Sequence, residues 1–203
     1  HLQEIKVFQV PESLFDYPKM LREKCSLFYN LSFTAEDEKK IKMYKHQLKR
    51  ETVKKEFSDI EDYLASLELK ITILENDKSI VPRMSQMCQK TNQFNLNTKR
   101  YTEGDLQNFI NDSDYEVYAI SVSDKFGDSG VTGLCIFNSN CNTDKVEIDT
   151  FLISCRVTGR NIEFVFLDYI LKKLKSKKKK IVNAKYIKTS KNEQVEHFYD
   201  KCS

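Results

Sequence analysis

The segment 156–161 has the residue types of an anion-binding turn. It lies between a predicted strand that ends at Ser154 and a predicted helix that begins at about Asn161. The first N–H groups of a helix have no intrahelical partner, and the helix dipole places partial positive charge at the same end. Gly159 lets a ligand approach the backbone closely. We expect a pyrophosphate-binding turn formed by Arg156, Val157, Thr158, Gly159, Arg160 and Asn161.

Cys155 lies directly before this turn and is a candidate nucleophile. A cysteine at a helix start gains thiolate character from the positive end of the dipole, and Arg156 or Arg160 would favour the charged form further. Such a thiolate could accept an acyl group from a phosphate-activated donor and pass it to a carrier thiol. The alternative is a buried strand-end cysteine that packs against the helix.

Length and composition indicate one or two globular domains with a proper core. The chain has 203 residues, of which 40% are hydrophobic and 31% are charged. Its 5 Gly and 3 Pro argue against a β-sandwich or barrel, which needs many tight turns. No stretch approaches the ~18 apolar residues of a membrane span, and residues 1–10 lack the features of a secretory signal. We therefore predict a cytoplasmic protein without a membrane partner.

The cysteines and histidines show no metal-binding spacing. No C-x-x-C pair occurs, and the three histidines are scattered, so we expect no zinc or other metal site. A disulfide framework is not expected at this size and composition either. We predict reduced and mostly buried thiols at Cys25, Cys88, Cys135, Cys141, Cys155 and Cys202.

Seven of the nine residues from Lys172 to Lys180 are lysines, although the net charge of the chain is only +3. The run has no aromatic residue, so nucleic-acid binding is not expected. A solvated helix end, whose cations suit the negative end of the helix dipole, explains the run. A site for a phosphate-bearing ligand or an acidic partner protein is the alternative.

The spacing of apolar residues predicts a helical first region and a mixed second region. The first contains a strand at 5–10 and helices at 34–57 and 60–67, the last capped by Asp59. Later strands are predicted at 69–73, 115–123, 131–137, 146–154 and 181–187. Later helices are predicted at 82–90, 102–110, 161–174 and 191–201. The order β-α-α-β-β-β-α-β-α predicts an α+β fold with a mixed, mostly antiparallel sheet flanked by helices.

The long helix at 34–57 places Ile41, Tyr44 and Leu48 on one stripe and is otherwise densely charged. This pattern predicts a narrow buried face. Such a face is typical of a connector between domains.

The element order resembles that of GNAT acyltransferases, and two segments agree with it. A GNAT carries Gln/Arg-x-x-Gly-x-Gly/Ala between a strand and a long helix, and segment 156–161 is similar, with Asn161 in place of Gly or Ala. Segment 192–199 resembles the GNAT last-helix pattern. The resemblance implies a bound coenzyme A or phosphopantetheine thioester, with Asn192 near the cofactor and Tyr199 as the general acid for the departing thiolate. The alternative for Tyr199 is a core aromatic.

Three longer segments resemble the FkbH-like family. They are residues 85–102 (SQMCQKTNQFNLNTKRYT), 123–130 (SDKFGDSG) and 148–160 (IDTFLISCRVTGR). Members of this family join an N-terminal haloacid-dehalogenase (HAD) phosphatase-like domain to a C-terminal GNAT-like domain. The resemblance implies transfer of a glyceryl or other acyl group from a small-molecule donor, with an acyl carrier protein as a partner.

The HAD nucleophile motif, Asp-x-Asp-x-Thr/Val at the end of a strand, does not occur in this chain. We therefore interpret residues 1–66 as the tail of a HAD-like domain with connecting helices, and residues 67–203 as a GNAT-like acyltransferase domain. No phosphatase activity is expected of the chain, which would be a C-terminal fragment or a separated half of a bifunctional enzyme. The alternative is a non-catalytic module that docks a carrier protein or positions a substrate for a HAD phosphatase.

Amides and carboxylates of the family-like segments are candidate substrate-binding groups. Amides near a pocket can bind substrate hydroxyl or carboxylate groups. Loop hydrogen bonds are the alternative for the amides, and turn formation is the alternative for the hairpin carboxylates. We expect the phosphopantetheine arm in a gap beside residues 149–154. The candidates are Gln89, Asn92, Gln93, Asn95, Asp124, Asp128 and Asp149.

Overall fold

The computed structural model describes residues 8–28, 35–139 and 144–202. By internal contacts the chain divides into two compact units, His1–Tyr44 and Lys45–Ser203. The first unit contains helix α1 (Tyr17–Lys24) and the beginning of helix α2 (Ala35–Lys54). Of the strand predicted at 5–10, residues 5–7 lie outside the described residues, and residues 8–10 form no strand. None of the helices in the described ranges is long and apolar enough to cross a membrane.

The second unit is built on one five-stranded sheet. Its strands are β1 (Lys70–Glu75), β2 (Tyr115–Asp124), β3 (Gly127–Asn138), β4 (Lys145–Ile153) and β5 (Ile181–Ala184). They lie in sequence order across the sheet, and all neighbours are antiparallel except β4 and β5. Its helices, besides the end of α2, are α3 (Ile60–Ser66), α4 (Val81–Lys90), α5 (Glu103–Asn111) and α6 (Ile162–Ser176). The predicted mixed, mostly antiparallel sheet flanked by helices is confirmed.

The sheet carries a core on each face. On one face α4 and α5 cover a cluster that includes Leu106, Leu134 and Leu152. On the other face α6 and the end of the chain cover a larger cluster, in which Phe151 and Phe166 are fully buried. Alternate residues of a strand point to opposite faces, so β4 contributes Phe151 to one core and Leu152 to the other.

The helix predicted at 191–201 is wrong. Only the short 3-10 turns Glu193–Val195 and Asp200–Cys202 form there. The side chain of Asn192 does not cap a helix. It bonds instead to the backbone of Thr189 and Ile187, which holds the chain in a tight bend. Val195 and Phe198 are nevertheless buried as expected.

Two predictions about the helical region have opposite outcomes. Asp59 caps α3 as predicted, because its side chain accepts a hydrogen bond from the backbone N–H of Glu61. The predicted buried stripe of α2 is wrong, since Ile41, Tyr44 and Leu48 are 41%, 72% and 63% exposed.

Candidate functional site

The turn between β4 and α6 is open on its outer side. Ser154 caps a 3-10 turn, Cys155–Val157, and four further residues precede α6. Gly159 and Asn161 both have left-handed backbone conformations, with φ of 76° and 57°. A Cβ atom placed on Gly159 would meet no atom within 4 Å. The Asn161 side chain makes no capping bond to α6. The Asn161 side chain therefore leaves the first-turn amides of α6 uncapped. An anion site requires amides that no side chain caps.

A cationic residue that the sequence interpretation missed lies beside this turn. The half-buried Arg83 of α4 donates to the carbonyl of Val131 and to the side chain of Gln86. Arg83 bonds to Val131, and the next residue of β3, Thr132, accepts a 2.7 Å hydrogen bond from the Ser154 amide at the start of the turn. Burial, followed by the charge of Arg156, lowers the pKa of Arg83. Like charges repel at short range, and an anion between them would offset that cost. Arg83 lies two residues before the family-like segment 85–102, which is the one signal that pointed to it.

A buried ion-pair group fixes the turn from inside. The carboxylate of Asp124 accepts hydrogen bonds from Arg50 Nε at 2.7 Å and from Arg160 Nη1 at 3.1 Å. Arg160 Nη2 also donates to the carbonyl of Arg156 at 2.9 Å. The three side chains of the ion pairs are at most 6% exposed. Arg160 and Asp124 were predicted to bind cofactor and substrate, but their side chains face inward and position the turn instead.

The electrostatics of Asp124 follow from these contacts. Burial acts to raise the pKa of its carboxyl, but the hydrogen bond and charge of Arg50, with smaller contributions from the Phe126 amide and Arg160, hold it below its usual value. Asp124 also accepts from the Phe126 and Gly127 amides, which closes the β2–β3 hairpin. Asp128 accepts from the Gly130 amide. Both aspartates thus form the hairpin, as the alternative interpretation of them expected.

The gap expected beside residues 149–154 is filled by the chain itself. The Phe94 carbonyl accepts a 2.9 Å hydrogen bond from the Ile153 amide, and the Leu96 amide donates to the Phe151 carbonyl at 3.1 Å. Asn95 thereby pairs antiparallel with Leu152. The segment 94–96 takes the edge of β4 that β5 leaves free, because β5 pairs with β4 only over Lys145–Ile148. A phosphopantetheine arm cannot bind along this edge while the segment is there.

Asn192 holds the inserted segment in place. Its amide nitrogen donates to the carbonyls of Asn95 at 2.9 Å and Ile187 at 3.0 Å. Its oxygen accepts from the amide of Thr189 and from the Tyr186 hydroxyl. The residue is fully buried, and both amide hydrogens have partners. The side chain of Asn192 is thus committed to bonds within the chain, and its predicted contact with a cofactor stays a prediction.

Tyr199 does not present its hydroxyl to the anion-binding turn. Its hydroxyl is buried, and no hydrogen-bond partner is found for it among the described residues. Burial, followed by the nearby thiols of Cys135 and Cys202, raises the pKa of the phenol. The ring packs on Phe198 with centroids 5.4 Å apart. A general acid must reach the leaving group. In this conformation the half-buried Tyr199 packs against the core with its hydroxyl enclosed, and its role as general acid stays a prediction.

The predicted substrate amides divide into loop-forming and exposed groups. Asn95 is fully buried and bonds to Thr91 and Thr98, while Asn92 accepts from Arg100. These are the loop hydrogen bonds that the alternative interpretation expected. Gln89 and Gln93 are exposed. Gln89 donates a 3.3 Å hydrogen bond to the Tyr101 carbonyl, so it too contributes to the loop.

Asp149 lies at an irregularity of β4. The register changes from Ile136 paired with Thr150 to Phe137 paired with Ile148, which leaves Asp149 as the extra residue of a β-bulge. Its carboxylate accepts a 2.7 Å hydrogen bond from the Tyr101 hydroxyl and pairs with Lys99. Burial and this carboxylate raise the pKa of Tyr101.

Cys155 is exposed, unlike the buried Cys88 and Cys135. Cys25 is exposed as well, so the expectation of mostly buried thiols is wrong for these two cysteines. Cys155 begins a three-residue 3-10 turn and not α6 itself. The dipole of so short a turn is small, so it contributes little to any activation of the thiol. Cys141 lies outside the described residues.

Glu163 is a second residue that the sequence interpretation missed. It belongs to the first turn of α6, and its Oε2 is buried without a hydrogen-bond partner in the described part of the chain. Burial raises the pKa of its carboxyl, although a hydrogen bond from its own backbone amide opposes the shift. A carboxylate at this end of the helix competes with a bound anion for the same positive potential.

No family model and no curated protein matches the chain. Solved structures with a loosely similar architecture include a ribosomal-protein-alanine N-acetyltransferase from Brucella melitensis biovar Abortus 2308, with a TM-score of 0.49 and 12% identity over 67% of this chain and 91% of that one. They also include the ribosomal-protein-S18-alanine N-acetyltransferase from Escherichia coli, with a TM-score of 0.49 and 10% identity over 65% and 76%. Ard1 from Thermoplasma volcanium has a TM-score of 0.49 and 16% identity over 64% and 80%.

Proposed function

We propose that residues 45–203 form an acyltransferase domain that binds a phosphate-bearing acyl donor at the turn 154–161. The observation that carries the proposal is the open, left-handed turn at Gly159. Arg156 belongs to this turn, and Arg83 bonds to β3 beside its start. The donor would be coenzyme A or carrier-bound phosphopantetheine in thioester form. In line with the resemblance to FkbH-like proteins, the domain would be the transferase half of a bifunctional phosphatase and glyceryl- or acyltransferase.

Cys155 supplies the chemistry in this proposal. Its thiolate would attack the carbonyl carbon of the activated acyl group, forming a C–S bond as the bond to the leaving phosphate or thiolate breaks. A carrier thiolate would then attack the same carbon and release Cys155, so no oxidant or reductant is required. Arg156, which follows Cys155 directly, would hold the donor phosphate.

A second candidate, a non-catalytic module for docking a carrier or positioning a substrate, is favoured by the filled edge of β4. The backbone groups of Phe151 and Ile153 that would bind a pantetheine arm already bond to residues 94–96. The Tyr199 hydroxyl is also enclosed. A module that only binds a carrier needs neither group free.

Titration separates the two candidates. Coenzyme A and a phosphopantetheinylated carrier protein are each titrated into the chain by calorimetry, and acyl transfer is followed by mass spectrometry of the carrier. Binding of both with transfer supports the acyltransferase. Tight carrier binding without transfer supports the docking module. Failure of both ligands to bind at millimolar concentration would overturn the assignment of the turn.

A further inference from the structure

An apolar pocket of about 300 Å³ lies on the α6 side of β5. Its walls come from β4, α6, β5 and the end of the chain, and all but two of its residues are aliphatic. They are Ile148, Leu167, Leu171, Val182, Ala184, Tyr199 and Cys202. Ile148 and Leu167 are buried, whereas Leu171, Val182 and Ala184 are half-buried and leave part of their aliphatic surface open. A bound ligand that removes this aliphatic surface from water would be stabilised by the hydrophobic effect.

The pocket continues into a cationic groove. A groove of about 630 Å³ shares Leu171 and Val182 with the pocket, so the two are contiguous. Leu174 completes the apolar floor. Four lysines line the groove, namely Lys175, Lys178, Lys179 and Lys180.

Two lysines of this groove, Lys175 and Lys178, differ from neighbouring lysines in their ion pairing, whereas Lys180 of the groove pairs with Asp144. Lys172 and Lys173, on the same helix, pair with Asp168 and Glu75. No carboxylate lies within ion-pair distance of Lys175 or Lys178 among the described residues. An aliphatic floor beside uncompensated cations is complementary to a ligand with an apolar chain and an anionic head.

We propose that this pocket and groove bind a single-chain aliphatic anion, with the chain against Leu171 and Val182 and a carboxylate or phosphate head at Lys175 and Lys178. The site lies at the C-terminal end of α6, whereas the turn with Gly159 precedes its N-terminal end. Fifteen helical residues separate the two ends by about 22 Å. The proposal is thus independent of the acyltransferase assignment.

Calorimetry on the whole protein chain tests the anionic head and the alkyl chain of the ligand separately. Octanoate and octyl phosphate are the probes for the two head chemistries, with butyrate and octanol as matched ligands that lack the chain or the charge. We expect octanoate or octyl phosphate to bind at least tenfold more tightly than butyrate and octanol, with an affinity that falls as salt rises. Equal binding of octanol would overturn the anionic part, and absence of binding by both octyl anions would overturn the proposal.

Variants locate the site. The double variant K175Q/K178Q should weaken binding of the better anion about tenfold, whereas K172Q, which removes a paired lysine of the same helix, should leave it unchanged. Val182→Thr keeps the shape of the shared wall but adds a hydroxyl, and we expect about a threefold loss. An equal loss in K172Q, or full binding in K175Q/K178Q, would show that the lysines only cover apolar surface with their aliphatic stems. Coenzyme A binding should not change in any of these variants.

Discussion

The side-chain amide of Asn192 donates a 2.9 Å hydrogen bond to the backbone carbonyl of Asn95, 97 residues earlier, and both residues are fully buried. This bond joins the end of the chain to the segment that lies along β4. It explains both why the last residues bend instead of forming a helix and why the edge of β4 is not free for a ligand. The segment that Asn192 holds occupies the edge of β4 from Phe151 to Ile153.

Replacing Asn192 by Ala should destabilise the second unit strongly. The change leaves the carbonyls of Asn95 and Ile187 and the amide of Thr189 without their partner. The carbonyl of Asn95 is buried, whereas the other two groups lie in part-buried bonds. An unsatisfied buried group costs about 1–3 kcal/mol, so we expect a loss of about 2 kcal/mol or more in the free energy of unfolding. Urea unfolding measures it, with the exposed Asn183→Ala of β5 as the control.

Coenzyme A titration of the same variant tests the role of the inserted segment. If residues 94–96 must leave β4 for the donor arm to bind, Asn192→Ala should bind coenzyme A more tightly under conditions where it remains folded. Unchanged affinity would show that the donor does not use this edge.

Asp124→Asn should cost about 3–5 kcal/mol, because it leaves the guanidinium groups of Arg50 and Arg160 buried without a counter-charge. The hairpin aspartate Asp128, which is exposed, is the matched control, and Asp128→Asn should cost less than about 1 kcal/mol. Urea unfolding at neutral pH compares the two variants. Similar losses of unfolding free energy in the two variants would mean that Asp124 contributes through its hydrogen bonds in the hairpin turn and not through its ion pairs.

The ion pair also predicts a pH dependence. The folded-state pKa of Asp124 is below its unfolded value of 3.8, so its contribution to stability is complete above pH 3.8 and is lost as the pH falls below that value toward the folded pKa. The stability difference between the wild-type chain and Asp124→Asn should therefore shrink below about pH 4. A difference that stays constant down to about pH 2 would contradict this assignment.

Local features were predictable from the sequence, and distant pairings were not. The Asp59 cap and the apolar pattern of α6 depend on residues within a few positions of one another, and both are as expected. The pairing of Asn95 with Leu152 needs contacts between residues more than 50 positions apart, and no local pattern encodes it. The resemblance to GNAT proteins leads us to expect a gap beside residues 149–154. Residues 94–96 of the chain itself pair with β4 there.

The candidate site shows the same division. The position and openness of the turn at Gly159 follow from a strand, a glycine and a helix in sequence. The inward direction of Arg160 depends on Asp124, 36 residues earlier, and on Arg50, 74 residues before Asp124. The sequence alone does not distinguish a buried charged side chain of this kind from an exposed one, because the residue type does not reveal a distant partner.

Glu163→Gln should stabilise the protein, relative to the wild-type chain, more at alkaline pH than at acid pH. The folded-state pKa of Glu163 is above its unfolded value of 4.5. The wild-type chain therefore loses stability as the pH rises from 4.5 through the folded pKa, because a buried carboxylate with an unpaired oxygen must form. Thermal unfolding between about pH 4 and pH 8 measures the difference. Burial and, to a smaller extent, the charge of Glu163 raise the pKa of the neighbouring Cys202 thiol. A reducing agent keeps this thiol unmodified during the measurement.

Gly159→Val should abolish binding of coenzyme A and leave the domain folded. The left-handed backbone disfavours a β-branched residue by about 1–2 kcal/mol, and the side chain would project into the open space that a phosphate needs. Gly130 is a matched control, since it too has a positive φ, of 67°, and a Cβ atom placed on it would also meet no atom within 4 Å. Gly130→Val should show a similar loss of stability with full binding by calorimetry. Equal affinities in the two variants would remove the anion site from the turn.

Cys155 should react with iodoacetamide faster than the other cysteines near neutral pH. Cys88 and Cys135 are buried, and burial raises the pKa of Cys88 to about 11, so both should react slowly. Cys25 is exposed like Cys155 and controls for simple accessibility. A ratio of labelling rates near one between Cys155 and Cys25, read by peptide mass spectrometry, would show that Arg156 and its surroundings do not activate the thiol.

The Cys155→Ser variant then tests covalent transfer. A serine hydroxyl is close in size to the thiol and should keep the exposed turn folded, but at neutral pH it is a far weaker nucleophile. In an enzyme that carries the phosphatase-like half and this domain, we expect the variant to lose thioester formation on the carrier protein while still binding it. Mass spectrometry of the trapped protein should show an acyl adduct on Cys155 in the wild-type enzyme. A serine variant with full transfer activity would mean that the acyl group passes directly from the bound donor to the carrier, without a covalent intermediate on Cys155.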